Sequence, residues 1–331
     1  MAITLAQLNK IEKDAKKSYV IKNLLYEMPI LEYLPFANVN SLRSVAIRWQ
    51  TLPDVAFRKI NEGYTPSEGD VEQVYESVYG LGGEIKYDRV FDKIKNTVTD
   101  LKRLHTDMKL ASIAYKFNDH FINGDLAVEN DGFEGIKKRI GYMPSSQKIG
   151  FAGASASVLD PTASVANART FFNTLEDMAS YTDRGNVQAW VGNRGFRWGV
   201  GRVARYINST GGNWLDVTKD SFDREIPTLW GAPIVDIGTK KDQSTKIITD
   251  TEVAGDAGTD ATSVYALAFN EQQGISGIEL GGMDVYDPLS GGEQESTPTK
   301  LLRIDWWLGL AGFGSYGFTR GWNLEAPGSW T

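Results

Sequence analysis

The residues of this chain best suited to chemistry gather in one short stretch: Asp119, His120, Asp125, Glu129 and Asp131. A carboxylate–imidazole group of this kind could ligate a divalent metal, since those side chains supply the usual oxygen and nitrogen donors. The spacing fits no standard metal site, and a solvated helix end followed by a turn accounts for it more simply. Gly199-Val200-Gly201-Arg202-Val203-Ala204 matches G-x-G-x-x-A, whose glycines let a backbone approach a pyrophosphate. A working copy of that motif directly follows a buried strand. Here Arg194, Arg197 and Trp198 intervene, and no βαβ unit surrounds it. The chain has no G-x-S-x-G elbow, Walker loop or H-E-x-x-H helix. Trp306-Trp307 and Trp322 could stack on a sugar or base, but aromatics at alternating strand positions mostly pack cores or interfaces. No catalytic, cofactor-binding or metal-ligating residue is assigned, and a non-enzymatic protein is the expectation; a carboxylate-based hydrolase is the alternative from another class.

Composition narrows the classes further. At 331 residues the chain exceeds a typical single core, which predicts two subdomains. A hydrophobic content of 41% with 23% charged residues suits a folded, soluble protein. The absence of cysteine excludes disulfides, thiolate metal sites and cysteine nucleophiles. A net charge of −7 offers no basic footprint for sequence-specific nucleic-acid binding, although an acidic wall can face packed nucleic acid without adhering to it. No apolar run approaches the roughly 20 residues that span a bilayer, so no membrane partner is expected. The start, Met1-Ala2-Ile3-Thr4, carries no apolar export signal, and an intracellular protein is expected.

The elements that would carry these residues follow from periodicity. Residues 1–41 read as a Lys-rich amphipathic arm, with Leu5, Leu8, Ile11 and Ala15 at helical spacing and apolar patches at Leu24-Leu25-Tyr26 and Ile30-Leu31. Residues 42–92 turn to period two: Val45, Ile47 and Trp49 on one side, and Val71, Val74, Tyr75, Ile85, Tyr87 and Arg89 on the return. A turn-rich tip from Lys59 to Asp70, with Gly63, Tyr64 and Pro66, separates them. A two-stranded excursion of that length is marginal in water and needs a partner surface. Residues 96–123 predict a long helix striped by Leu101, Leu104, Met108, Ala111 and Tyr115, closed by Phe121-Ile122 and stopped at Asn123-Gly124. A second helix is expected over 162–181, a strand at Gln188–Val191, a short helix ending near Ile207, and strands near 246–249 and 263–269. Polar connections are expected at 255–262 and 289–298, and a closing strand pair at 301–310 and 315–322. Interleaved helices and strands make an α+β chain.

The order of these parts resembles the major capsid proteins of tailed bacteriophages, with the Hong Kong 97 fold that encapsulins also use. Gly124-Asp125 with Phe133-Glu134-Gly135-Ile136 is similar to the family's "GD…F.GI" turn. Val191-Gly192-Asn193, Gly201-Arg202 to Ile207, and Leu229-Trp230-Gly231-Ala232-Pro233-Ile234-Val235 are similar to its axial-domain core. The resemblance implies an N-terminal arm (1–41), an extended β-hairpin loop (42–92) and a peripheral domain with a spine helix (93–160). An axial domain (161–290) and return strands of the peripheral domain (291–331) complete it. It implies a virion protein, assembled in the host cytoplasm from hexamers and pentamers into an icosahedral shell. That shell encloses double-stranded DNA without sequence-specific binding. An encapsulin-like compartment is the close alternative. Because the chain opens on the arm, a separate scaffolding protein is implied, with a portal protein as a further partner. The assembly contacts implied are Leu24, Leu25, Trp49, Lys59 and Tyr64. Lys59 lies where a Lys–Asn crosslink would need it, but Gly291 to Trp307 holds no asparagine, so stability is expected to rest on packing and charge pairs.

Overall fold

The computed structural model describes residues 3–90, 101–152, 158–207, 215–252, 261–271, 274–289, 292, 294, 297–312, 314 and 316–326. Strands are numbered in chain order: β1 (Ile3–Thr4), β2 (Pro35–Asn38), β3 (Arg43–Thr51), β4 (Asp70–Ser77), β5 (Tyr79–Asp88), β6 (Lys148–Gly150), β7 (Ala189–Gly192), β8 (Asp216–Lys219), β9 (Glu225–Leu229), β10 (Ala232–Asp236), β11 (Ala261–Leu267), β12 (Ile275–Tyr286), β13 (Thr299–Gly312) and β14 (Phe318–Glu325). They form a five-stranded sheet, β1-β2-β12-β13-β5, a seven-stranded sheet, β6-β14-β11-β7-β10-β9-β8, and the separate pair β3-β4.

The arm folds onto its own chain. Thr4 caps the helix Leu5–Ile11 in a reciprocal box with Gln7, and Asp14 caps Ala15–Glu27 by accepting from the Lys16 amide at 2.9 Å. Between the caps the chain breaks, which ends the single helical stripe expected through Ala15 and leaves Ile11 exposed. Val20, Ile21, Leu24, Leu25, Met28, Ile30 and Leu31 bury against the long helix Leu101–Asn123 and the five-stranded sheet. The part of the expected helix before residue 101 lies outside the described residues. The long helix buries Phe121 and Ile122, which close the expected stripe, but ahead of them it turns a different face inward from the one the spacing suggested. Leu110, Ile113, Ala114, Phe117 and Phe121 are buried, while Leu104 and Met108 are 42% and 58% exposed. Both stripes obey helical periodicity; the larger aromatic one faces the core because it excludes more water. Phe117 stacks on Trp306 at 6.0 Å and on Phe121 at 6.0 Å.

The central strands β11, β7 and β10 of the seven-stranded sheet are buried on both faces, and their alternation shows how. Trp190, Ile234, Val264 and Ala266 point to a core with Phe171, Phe172, Leu175 and Met178 of the helix Val165–Tyr181 and Phe196, Val200 and Val203 of the helix Arg194–Ile207. Their strand neighbours Ala189, Val191, Val235, Tyr265 and Leu267 point to the larger core shared with the arm and long helix. β9 and β10 join through Trp230-Gly231, both at positive φ (51° and 81°), with Leu229 opposite Ala232. That is the backbone of a two-residue hairpin turn, which explains Gly231. Pro233 sits in β10 opposite Thr228.

Three expectations are corrected by pairing. β13 and β14 do not pair with each other: β13 lies between β12 and β5, and β14 between β11 and β6 in the other sheet. β13 sends Trp306 into the core shared with the arm and the long helix, whereas β14 lies between the two cores, with Phe318 in that one and Leu324 in the other. β5 is not part of the free hairpin. It runs along β13 from Tyr79↔Leu308 to Asp88↔Thr299, because Ile85 and Tyr87 need a core that the two-stranded excursion lacks. Residues 246–249 form no strand beyond an isolated Thr239↔Lys246 bridge, although Ile247 and Ile248 are buried. Residues 255–260 of the expected polar loop lie outside the described residues, while Ala261 and Thr262 belong to β11.

Glu279 of β12 is a buried acid whose carboxylate accepts from Nε1–H of Trp306 at 3.1 Å. Burial raises its pKa above the usual carboxylate range, opposed by that bond. A raised folded pKa favours the protonated form, so its contribution to stability is full below about pH 4.5 and is lost as pH rises through the folded value. Glu279→Gln is therefore expected to stabilise the unassembled chain near pH 7 by on the order of 1 kcal/mol, with the advantage vanishing below about pH 4. Thermal unfolding of both proteins across pH checks this.

Candidate assembly interface

The titratable groups that the sequence concentrates at the end of the long helix pair with one another and with nearby lysines. His120 Nε2 lies 3.2 Å from Glu129, Lys116 Nζ 2.8 Å from the same carboxylate, and Lys138 Nζ 3.0 Å from Asp125. Burial lowers the His120 pKa, and the Ala127 amide and Lys138 hold Asp125 below its ordinary value. The Lys116–Glu129 and Lys138–Asp125 ion pairs hold the helix end and its turn in place. Among the described residues no group of three or more His, Asp or Glu side chains could hold a metal ion. The G-x-G-x-x-A stretch lies within the helix Arg194–Ile207. Its first turn is capped by Asn193, whose Oδ1 accepts from the Phe196 amide at 2.9 Å, so its glycines form no phosphate loop. Trp306 is core, and Trp307 lies against Gly80 on the sheet surface.

The GD…F.GI residues build a compact corner. The Gly124 amide donates to His120 O and the Gly135 amide to Gly124 O, both at 2.9 Å. A Cβ on Gly135 would lie 2.5 Å from His120 O and 2.6 Å from Ile122 O, so only glycine fits between these backbone segments. Gly135→Ala is expected to destabilise the chain by about 1–3 kcal/mol through that overlap, measured by denaturant unfolding. From this corner springs a one-turn helix, Ile136–Arg139, whose three cations reach carboxylates of three separate elements.

The surface without an explanation inside the chain is the hairpin. β3 and β4 pair from Arg43↔Ser77 to Thr51↔Asp70 and belong to neither large sheet. Val45, Ile47, Leu52, Val55, Phe57, Ile60, Tyr64, Val71 and Tyr75 are all exposed. So many exposed apolar side chains on a structure with so little of its own to pack against mark a surface that another molecule covers. Of the residues expected to make contacts, Lys59 lies exposed at a turn of the tip. Tyr64 is exposed with the Arg58 guanidinium 5.3 Å from its ring centroid. Trp49 stands in β3 opposite Val71. Leu24 and Leu25 are corrected: both are buried inside the chain's own main core, because the arm folds back over the long helix. Sequence reasoning passed over Leu52, Val55 and Phe57, whose apolar character inside a turn-rich tip was the available signal. It also passed over Arg139 and Glu76, which meet only through the tertiary fold.

Residues 12–168 match the family described as Major capsid protein GP7. No curated protein sequence matches the chain. Solved structures share its fold at low identity. The SrpI encapsulin of Synechococcus elongatus PCC 7942 is similar at TM-score 0.57 and 10% identity, over 89% of this chain and 87% of that one. A chain of Mycobacterium phage Bobi is similar at TM-score 0.56 and 11% identity, over 89% of both. The capsid chain of a native GTA particle is similar at TM-score 0.54 and 12% identity, over 92% and 90%. The α+β architecture described above is thus the Hong Kong 97 type capsid fold.

Proposed function

We infer, from the match of residues 12–168 to a major capsid protein family and from the fold shared with phage capsids, that the chain is a tailed-bacteriophage major capsid protein, the structural subunit of a viral icosahedral shell. The observation that carries the reading is the hairpin: apolar residues from Val45 to Tyr75 stand exposed on two strands that neither large sheet absorbs. A shell wall needs wide lateral contact from modest mass, and a projecting hairpin supplies it by lying across a neighbour. Copies of one chain joined head to tail close into rings, which makes hexamers and pentamers the expected capsomers. In this arrangement the long helix and five-stranded sheet form the peripheral domain and the seven-stranded sheet the axial domain. Trp49, Lys59 and Tyr64, together with Val55 and Phe57, make the contacts between subunits.

The partners follow from the same reading. A separate scaffolding protein would guide curvature, a portal protein would replace one pentamer, and assembly would take place in the host cytoplasm. The enclosed cargo is double-stranded DNA, which a chain of net charge −7 can contain without adhering to its phosphates. Encapsulins share the fold, but the family match is to a virus capsid protein and favours the viral shell. Electron microscopy of the expressed full chain, alone and with the scaffolding protein, tests this. Closed shells or capsomer rings are expected, and a uniform monomer under both conditions would overturn it. Shells filled with a captured protein would favour the compartment reading.

A further inference from the structure

Arg139 is the least exposed cation of the Ile136–Arg139 turn, its side chain 9% exposed and that of its partner Glu76 14%. Its guanidinium forms a two-pronged pair with Glu76 of β4, the second prong at 2.9 Å from Nη2 to Oε2. Two further donors are used as well: Nε–H donates to Glu134 O at 2.9 Å and Nη2–H to Leu310 O of β13 at 2.8 Å. One side chain therefore binds the base of the hairpin, the five-stranded sheet and the GD…F.GI corner together. Lys137, two residues earlier, reaches the other way. Its Nζ lies 2.7 Å from Oε1 of Glu252, whose side chain is 1% exposed and whose Oε2 faces Arg320 of β14 at 3.4 Å. Beside the Arg139–Glu76 pair an open groove of 570 Å³ separates β4 from Phe133, Tyr142 and Met143, so the hairpin is not packed flush against the body there.

We infer that Arg139 is a positioning residue for assembly: through Glu76 it sets the direction in which the hairpin leaves the body and locks that direction to the corner that Lys137 ties to the seven-stranded sheet. The inference rests on the shell-subunit reading for its purpose. A planar guanidinium gripping a carboxylate on both oxygens fixes angle as well as distance, which a single-point ammonium contact does not. The lever is long. From Glu76 to the end of β4 at Asp70 the strand spans roughly 20 Å at 3.3 Å per residue, so a tilt of about 10° at the base moves that end by about 3 Å. A shift of that size at every subunit would carry the apolar tip off its target. The open groove leaves room for such a tilt once the pair is broken.

The chain has no cysteine, so distances can be read from introduced labels. Spin labels at Glu68→Cys, on the exposed tip, and Val128→Cys, on the exposed turn beyond the long helix, report the hairpin's direction by pulsed electron–electron resonance. Labelled full-length chain is diluted into unlabelled chain so that each signal comes from one molecule. The parent is expected to give one narrow distance distribution. Glu76→Gln keeps an acceptor for Arg139 but loses the charge, and Arg139→Lys keeps the charge but loses the fork; both are expected to broaden the distribution roughly twofold. Glu84→Gln, which breaks the exposed pair with Arg303 on the same sheet, is the control and should leave it unchanged. A Glu76→Gln distribution as narrow and as centred as the parent's would overturn the inference. Electron microscopy of the unlabelled proteins separates the two readings. If the parent forms shells while Glu76→Gln keeps the parent's distances, the positioning role falls and the shell reading stands. If no protein assembles and Glu76→Gln still broadens the distances, the shell reading falls and the positioning role stands.

Discussion

Replacing Pro53 to Glu68 with Asn-Gly is expected to leave a folded chain that no longer closes shells. Thr51 and Asp70 are the last paired residues of β3 and β4, so the four-residue loop made of Leu52, Asn-Gly and Gly69 can join the shortened strands without disturbing the register below them. What is removed is the exposed tip with Leu52's neighbours Val55, Phe57, Ile60 and Tyr64, none of which contributes to the chain's own core. The unfolding free energy should therefore change little. Assembly should change by orders of magnitude, because each subunit loses an apolar contact and a shell repeats that loss at every neighbour. Burial of those side chains is worth about 1.5–3 kcal/mol each for the larger ones, so several lost per contact exceed what a weak lateral interface supplies. Sedimentation and electron microscopy of the variant beside the parent provide the check. Normal closed shells from it would sink the account of the hairpin.

Leu24→Ala should behave in the opposite way, with the unassembled chain losing about 2–5 kcal/mol of stability. Leu24 is fully buried among Ile21, Met28 and the long helix, and truncating it leaves a cavity in the same core that holds Phe117 and Trp306. Had the arm's apolar patches been docking points for a neighbour, the isolated chain would barely register the change and only assembly would suffer. Denaturant unfolding of the unassembled protein distinguishes the two roles. A change below about 0.5 kcal/mol, the range of ordinary surface substitutions, would return Leu24 to the list of contacts between subunits.

The contrast between these two segments shows how the fold divides between what could be read locally and what could not. Local rules were enough wherever a residue's partner is near in sequence. Asn123-Gly124 ends the long helix, the period-two pattern at Val45–Trp49 and Val71–Tyr75 marks the two strands of the hairpin, and short strands fall near the expected 188–191 and 263–269. The segment order, and with it the resemblance to a capsid subunit, was legible for the same reason. Long-range competition decided the rest. The arm and the hairpin both present uncovered apolar residues in sequence, and periodicity cannot say which of them finds a core at home. Leu24 finds one because the arm returns over a helix some 80 residues away, whereas Phe57 finds none. The long helix carries two plausible stripes, and only the docking of Trp306 against Phe117 selects between them.

By itself, then, the sequence determined the α+β class, the succession of arm, hairpin, long helix and buried strands, and the absence of a recognisable catalytic motif, since each of these is written in spacing over a few turns or strands. The tertiary structure alone decided that β5 leaves the hairpin for β13, that β13 and β14 part into different sheets, and that Arg139 meets Glu76 across 63 positions of sequence. Those outcomes depend on which distant surface offers the larger dry contact or the better-matched charge, and no local pattern encodes the comparison.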